Sequence, residues 1–143
     1  MGLKTRLKTK VEWGDCDPAG QMFYPNYFRY VDAATHHLLE TAGIGIPALM
    51  REFAIMGLPL VDAQLSFKAR SRWGARIEVE STIVEWRRKT LVVGHRIWNG
   101  DVVAVEGREI RVWARTHPDD PERLQAGEIP AAVVARYEEA DRR

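Results

Sequence analysis

The chain has 143 residues, which is enough for one domain with a single core, and we expect that domain to span residues 1–143. Apolar residues make up 45% and charged residues 29%, so the composition excludes an intrinsically disordered or fibrous protein. The net charge is only +1, and no apolar run approaches the ~20 residues of a membrane span. We therefore expect neither nucleic acid nor a membrane as partner.

The first predicted element is a strand within residues 7–13. Alternation there places Leu7, Val11 and Trp13 on one face and charged side chains on the other. A loop follows from Gly14 to Gly20, because two glycines, a proline and two aspartates lie within these seven residues.

One long helix is predicted after Pro25 and Asn26, ending at Gly43. Its apolar stripe recurs at three- and four-residue spacing and consists of Phe28, Val31, Thr35, Leu38 and Ala42. A shorter apolar turn is expected between Pro47 and Met56.

The period then changes to two, which is typical of strands. The alternating segments are Val61–Phe67, Ile77–Val84, Leu91–Ile97, Val102–Val105 and Glu109–Ala114. A strand, a long helix and then several strands joined by short turns predict an α+β domain whose antiparallel sheet wraps one helix. For residues 130–143, a short helix and a frayed terminus are equally expected.

The usual nucleophile, phosphate-loop and metal motifs are absent, so no metal and no cofactor are expected. A single cysteine, Cys16, excludes an internal disulfide, and no basic residue adjoins it to activate the thiol. The first residues lack the apolar segment of a signal peptide. Together these features predict a cytoplasmic protein.

The loop Asp15–Gly20 directly precedes an aromatic run, Phe23–Tyr27, that opens the long helix. Its aspartates have an ordinary interpretation, in which they cap turns or the helix. They also have a functional one, because a carboxylate, free N–H groups at a helix N-terminus and an apolar wall would lie within about ten residues. Those three elements can attack a carbonyl, stabilise the resulting oxyanion and exclude water.

Two further features carry the same ambiguity. Asp32 lies at the edge of the apolar stripe, where it is either a solvated flank or faces a ligand or partner subunit. Glu85–Lys89 contains three consecutive cations, which are either a solvated strand edge or a phosphate site. Arg123, expected in the loop after Pro118–Pro121, would add another cation.

The ordered set of motifs resembles the 4-hydroxybenzoyl-CoA thioesterase family of hotdog-fold hydrolases. The resemblance covers about residues 7–130 and rests on several segments in the same order: Gly14–Gly20, Tyr24–Tyr27, Asp32–Ala34, Ala63–Phe67, Glu85–Lys89 and Glu109–Val112.

This resemblance implies a hotdog fold and a specific set of roles. The aspartate matching Asp17 attacks the thioester carbonyl or directs water to it, and the backbone N–H at Tyr24 polarises the carbonyl oxygen. The aspartate matching Asp32 comes from the neighbouring subunit and accepts a hydrogen bond from the aryl hydroxyl.

The resemblance also implies a nucleotide site and an oligomer. Cations matching Arg87, Lys89 and Arg123 hold the phosphates of coenzyme A. Active sites of this type lie between two subunits, so a homodimer is the minimum and a homotetramer is usual in the family.

The leading hypothesis is therefore a thioester hydrolase that acts on an aryl-CoA substrate, with 4-hydroxybenzoyl-CoA as the expected acyl-CoA. A general thioesterase for short or branched acyl chains is the alternative within enzymes. A non-catalytic acyl-CoA binding protein is the alternative outside enzymes, although such a module needs no carboxylate beside a thioester.

Overall fold

The computed structural model describes residues 2–143, which form one five-stranded sheet, a separate hairpin and three helices. In chain order the elements are β1 (Thr5–Lys10), α1 (Pro25–Thr41), α2 (Ile46–Phe53), β2 (Leu60–Phe67), β3 (Arg76–Trp86), β4 (Thr90–Asn99), β5 (Val102–Val112), β6 (Ala114–His117), β7 (Asp120–Ala126) and α3 (Ala131–Asp141). The strand order is β1-β3-β4-β5-β2, every neighbouring pair is antiparallel, and α1 packs against one face. The predicted α+β architecture is confirmed.

Helix α1 begins and ends where its sequence favours a boundary. Pro25 occupies the first helical position, where its missing N–H costs no hydrogen bond. Gly43 follows the helix with a φ of +75°, a left-handed conformation that glycine adopts without steric strain. The buried face includes Val31, Thr35 and Leu38 of the predicted stripe together with Ala34, whereas the predicted stripe residue Phe28 is 37% exposed.

The core consists of two apolar clusters with a polar layer between them. One cluster surrounds Leu38 and Trp113, and the other surrounds Val31 and Val79. The inward-facing positions between the clusters are polar: Thr35 on α1, Ser81 on β3, His95 on β4, and Glu109 and Arg111 on β5.

The predicted boundaries of two strands are wrong. β1 ends at Lys10, and Trp13 lies beyond it in a single 3₁₀ turn, where it is exposed and packs against Trp73 at a centroid distance of 5.1 Å. Residues 102–112 form one strand rather than two, since pairing with β4 continues through Glu106 and Gly107. An added Cβ at Gly107 would lie 1.9 Å from the carbonyl oxygen of Gln64, so β2 approaches β5 closely there.

The C-terminal part also differs from prediction. β6 and β7 form a hairpin that the polar sequence did not indicate. The last residues form helix α3 rather than a frayed end, because Tyr137 is buried and donates a hydrogen bond to the carbonyl of Leu3 at 2.7 Å. No helix within residues 2–143 has the length and apolar character to cross a membrane, and the cytoplasmic location stays a prediction.

Candidate active site

Asp15 anchors the acidic loop to α1. Its carboxylate accepts hydrogen bonds from the Tyr30 hydroxyl at 2.6 Å and from the Arg29 guanidinium. Its carbonyl oxygen accepts the backbone N–H of Phe23 at 2.8 Å and the side-chain amide of Asn26 at 2.9 Å. Both carboxylate oxygens are therefore committed to holding the loop on the first turns of the helix.

Asp17 is held differently. Its Oδ1 accepts the backbone N–H groups of Ala19 at 2.9 Å and Gln21 at 3.3 Å, while the backbone N–H of Gly20 donates to the Asp17 carbonyl at 2.9 Å. Within residues 2–143, Oδ2 of Asp17 has no hydrogen-bond or ion-pair partner. The turn thus fixes a half-buried carboxylate and leaves one oxygen available to a ligand.

The backbone N–H of Tyr24 is also available. Tyr24 directly precedes α1, and its carbonyl accepts the N–H of Tyr27 at 3.1 Å, but its own N–H meets no acceptor in the part of the chain described. The positive end of the helix dipole lies at this position. An oxygen that develops negative charge would be stabilised there.

Exposed aromatic side chains lie beside the acidic loop and the Tyr24 N–H. Phe23 stacks on Tyr24 with centroids 5.6 Å apart, and Phe67 of β2 contacts both Tyr24 at 6.1 Å and Tyr27 at 5.5 Å. The aromatic run therefore forms an apolar surface beside the loop, as the sequence predicted.

Cys16 lies in the same loop but is not suited to nucleophilic attack. Burial raises the pKa of its thiol, and the negative charges of Asp17 and Asp15 raise the pKa further. A thiolate, the reactive form, is disfavoured there. The interpretation of Cys16 as a structural residue is consistent with its packing beside the second core cluster.

Asp32 lies further along α1 with its side chain 53% exposed. Its Oδ1 accepts a hydrogen bond from Nη2 of Arg111 at 2.6 Å, and Nε2 of His36 lies 3.8 Å from the same oxygen. Eight residues separate Asp32 from Tyr24, which is about 12 Å along the helix axis. Asp32 is therefore a paired carboxylate on an otherwise open face of α1.

Sequence reasoning missed the buried residues that support this pair. The Thr35 hydroxyl and Nε2 of His95 (2.9 Å) bond to Oε1 of Glu109, and Oε2 of Glu109 accepts from Arg111 at 2.8 Å. Nδ1 of His95 lies 2.7 Å from Oγ of Ser81. The alternation of β5 could have indicated them, because it places two charged residues, Glu109 and Arg111, at core positions.

Glu109 and Arg111 stay ionised in the core because their opposite charges compensate each other. Burial pushes the pKa of Glu109 upward, but bonds from His95 and Thr35 and the charge of Arg111 outweigh it, so the pKa lies below its ordinary value. Burial acts in the opposite direction on Arg111, and the carboxylates of Glu109 and Asp32 outweigh it, so the pKa of Arg111 is raised.

The predicted phosphate-binding cations lie on two neighbouring segments. Arg87 and Lys89 are in the turn between β3 and β4, whereas Arg123 is on strand β7 rather than in the predicted loop. The carbonyl of Lys89 accepts the N–H of Trp113 at 2.8 Å, immediately before β6, which brings the turn to the hairpin. Arg87 pairs with Glu85, while Lys89 and Arg123 form no ion pair within residues 2–143.

One protomer does not bring these cations to Asp17. The acidic loop lies at the Arg76 end of β3. There the backbone N–H of Val11 donates to the carbonyl of Ala75, and that of Met22 donates to the carbonyl of Ser71. The cations lie at the Trp86 end, ten residue steps or about 33 Å along the strand. The candidate residues therefore form two groups at opposite ends of the sheet.

Comparison with known proteins decides the family. A model of the thioesterase-like superfamily matches residues 11–136. The chain is 36% identical over 142 residues to 4-hydroxybenzoyl-CoA thioesterase of Pseudomonas sp. (strain CBS-3), covering 94% of this chain and 97% of that one. The chain belongs to the 4-hydroxybenzoyl-CoA thioesterase family. This enzyme is accordingly a thioester hydrolase, and its substrates are acyl-CoA thioesters.

Solved structures of this thioesterase family share the fold. A 4-hydroxybenzoyl-CoA thioesterase with an aspartate replaced by asparagine, complexed with 4-hydroxybenzoyl-CoA, superimposes with a TM-score of 0.85 at 32% identity, covering 94% of this chain and 98% of that one. A gentisyl-coenzyme A thioesterase gives 0.79 at 31% identity, with coverage of 91% and 99%. The predicted hotdog fold is confirmed.

Proposed function

We propose that this thioesterase hydrolyses an aryl-CoA thioester, with 4-hydroxybenzoyl-CoA as its substrate, to the free acid and coenzyme A. The observation that carries the proposal is that Oδ2 of Asp17 and the backbone N–H of Tyr24, seven positions apart in the chain, both lack a partner within residues 2–143. One supplies a nucleophile or general base, and the other supplies an oxyanion donor.

The chemistry proceeds by attack at the thioester carbonyl carbon. The free oxygen of Asp17 either attacks that carbon directly or takes a proton from a water molecule that attacks it. Negative charge then develops on the carbonyl oxygen, next to the N–H of Tyr24. The C–S bond breaks, and coenzyme A leaves as a thiolate that takes up a proton. In the direct route, water then hydrolyses the bond between the acyl group and Asp17; in the other route, the attacking water has already supplied the new oxygen of the acid. A donor of this kind typically lowers the barrier by about 3–4 kcal/mol.

Recognition of the acyl group is assigned to Asp32. Its Oδ1 is held by Arg111, so a second carboxylate oxygen can accept a hydrogen bond from an aryl hydroxyl. The names of two similar enzymes support a hydroxylated aromatic acid, because 4-hydroxybenzoyl and gentisyl groups both carry ring hydroxyls.

The coenzyme A phosphates are assigned to Arg87, Lys89 and Arg123, and a second protomer completes the site. The separation of these cations from Asp17 within one protomer supports this arrangement. The edge strand β2 supports it as well, because it carries two exposed apolar side chains, Leu60 and Val61. A homodimer is the minimum assembly, and a homotetramer is the expected one.

Thiol release from 4-hydroxybenzoyl-CoA, benzoyl-CoA and butyryl-CoA, measured side by side, tests the proposal. We expect a strong preference for the hydroxylated aryl thioester. Comparable rates on butyryl-CoA would replace it with a general short-chain acyl-CoA thioesterase. Failure to hydrolyse any of the three, in protein that still binds acyl-CoA, would favour a binding protein and overturn the assigned chemistry.

A further inference from the structure

We propose that Arg111 is a positioning residue that sets the preference for a hydroxylated acyl group by fixing the carboxylate of Asp32. Buried Glu109 and His95 hold Arg111 in place. The inference rests on the proposed role of Asp32 and extends it to residues beneath the site.

The guanidinium of Arg111 is fixed by three acceptors on three different segments. Nη2 donates to Asp32 on α1 at 2.6 Å and to Glu109 on β5 at 2.8 Å, while Nη1 donates to the carbonyl of Leu58 at 3.2 Å. The side chain of Arg111 is only 6% exposed. Because the guanidinium is planar, it cannot rotate towards one acceptor without losing another.

Glu109 is held as firmly as Arg111. Its Oε1 accepts hydrogen bonds from Thr35 and His95, and the other ring nitrogen of His95 lies 2.7 Å from Ser81. A hydrogen bond donated by Nε2–H of His95 to Glu109, with the Ser81 hydroxyl donating to Nδ1, satisfies each of these contacts. The network therefore ties α1 to β3, β4 and β5.

Such a network is a poor choice for stability alone. Glu109 and Arg111 are removed from water at a desolvation cost that well-packed apolar residues would avoid. Both neighbouring layers of this core are filled by apolar side chains. The polar layer ends at the one exposed carboxylate of the network, Asp32, which points to a role in holding that group.

The consequence for recognition is geometric. Arg111 occupies one oxygen of Asp32 and compensates its charge, so the other oxygen has a defined direction in which to accept a hydroxyl proton. Without the guanidinium, an exposed aspartate would sample several rotamers. The hydrogen bond to substrate would then be weaker, while substrates that lack the hydroxyl would be unaffected.

The test compares 4-hydroxybenzoyl-CoA with benzoyl-CoA as the ratio of their kcat/KM values. Arg111→Lys keeps the charge but loses the planar fork, and we expect the ratio to fall about tenfold. The rate on benzoyl-CoA should stay within about threefold. Arg136→Lys is the matched control, because Arg136 forms a two-pronged pair with Glu52 on the surface, and its ratio should equal that of wild type.

A double variant guards against loss of folding. Glu109→Gln/Arg111→Gln removes both buried charges together, so neither is left uncompensated, and it should lower the ratio in the same way. In an Asp32→Asn background, Arg111→Lys should cause no further change in the ratio, since the group that it positions is already altered.

The outcomes separate this inference from the proposed function. If Asp32→Asn lowers the ratio while both Arg111 variants keep the wild-type value, Arg111 is not a positioning residue, although Asp32 retains its role. Equal losses on both substrates would assign Arg111 a purely structural role and also overturn the inference. A wild-type ratio in Asp32→Asn itself would overturn the proposed role of Asp32, and the inference with it.

Discussion

Asp15 and Asp17 are separated by one residue, yet their carboxylates meet opposite environments. Asp15 gives both oxygens to Tyr30 and Arg29 of α1. Asp17 uses one oxygen for backbone N–H groups of its own turn. The first aspartate fastens the loop to the helix, and the second keeps one oxygen without a partner among residues 2–143.

Asparagine substitutions should separate these two functions. Asp17→Asn should lower kcat by about 100-fold or more and leave the unfolding temperature nearly unchanged, because the amide oxygen can still accept the turn hydrogen bonds. Asp15→Asn should lower the free energy of unfolding by about 1–2 kcal/mol through its weakened bonds to α1. Steady-state kinetics and thermal unfolding of both variants check this. An active Asp17→Asn enzyme would exclude Asp17 as the attacking group or base.

A proline at position 24 removes the proposed oxyanion donor together with the Tyr24 ring, and an alanine there removes the ring alone. The φ of Tyr24 is −56°, which proline adopts without strain, and the residue lies before the helix, so no helical hydrogen bond is lost. Tyr24→Pro should lower kcat by about 100- to 1000-fold. Tyr24→Ala keeps the N–H but loses the ring that stacks on Phe23 and Phe67, and its kcat should stay within about tenfold of wild type.

The unfolding temperature of Tyr24→Pro is the control for this comparison. A folded proline variant with wild-type kcat would mean that another group polarises the carbonyl.

Much of the fold followed from periodicity, because the alternation of β3 and the stripe of α1 are local patterns that burial enforces. Val79 and Leu38 are fully buried, as their positions predicted. The β6–β7 hairpin escaped prediction since both of its strands are rich in exposed polar residues. Backbone pairing, rather than an apolar face, holds it together.

The candidate site, like the fold, has a part that follows from local sequence and a part that depends on distant residues. Asp17 and Tyr24 are close in sequence, and the motif around them predicted a role for both. The partner of Asp32 could not be predicted, because Arg111 lies 79 residues away in the chain. Which strand faces α1 at that point depends on the register of the whole sheet.

Mixed oligomers should reveal whether two protomers share one site. Asp17→Asn and Asp32→Asn subunits, carrying different tags and purified together as hetero-oligomers, each lack a different group. If Asp32 serves the neighbouring protomer, every mixed dimer contains one intact site. We expect about half of the wild-type activity on 4-hydroxybenzoyl-CoA, well above either parent. Activity no higher than the mean of the parents would place both groups in one protomer.

Removal of the cations proposed to bind phosphate should affect substrate binding rather than chemistry. Arg87→Ala, Lys89→Ala and Arg123→Ala should each raise KM for acyl-CoA about threefold to tenfold with little change in kcat. Arg88→Ala is the matched control, because Arg88 is a cation of the same turn that is not assigned to the phosphates, and its guanidinium pairs with Glu128 at 2.7 Å.

A substrate that lacks the nucleotide provides a second control. With an acyl-pantetheine thioester, the three cation variants should match wild type. An unchanged KM for acyl-CoA in all three variants would contradict the assignment.

Glu109 should contribute to stability in a pH-dependent manner. The pKa of Glu109 in the folded protein lies below its ordinary value of 4.5, so the folded state holds fewer protons than the unfolded state. The stabilisation is fully present above about pH 4.5 and is lost as the pH falls through the folded pKa. Glu109→Gln should cost about 3 kcal/mol at pH 7, because it leaves Arg111 partly uncompensated.

Urea unfolding between pH 7 and pH 3 measures this effect. The difference in free energy of unfolding between wild type and Glu109→Gln should shrink at the acid end. A difference that stays constant with pH would mean that Glu109 is neutral in the folded protein.

Apolar contacts are non-directional, so they fix the axial position of a helix less sharply than hydrogen bonds do. The hydroxyl of Thr35 is directional, because a shift of one residue, about 1.5 Å, would separate it from Glu109. The polar layer therefore sets the axial position of α1. Since Tyr24 directly precedes the same helix, the contact between Thr35 and Glu109 in the middle of the sheet also determines the position of the Tyr24 N–H.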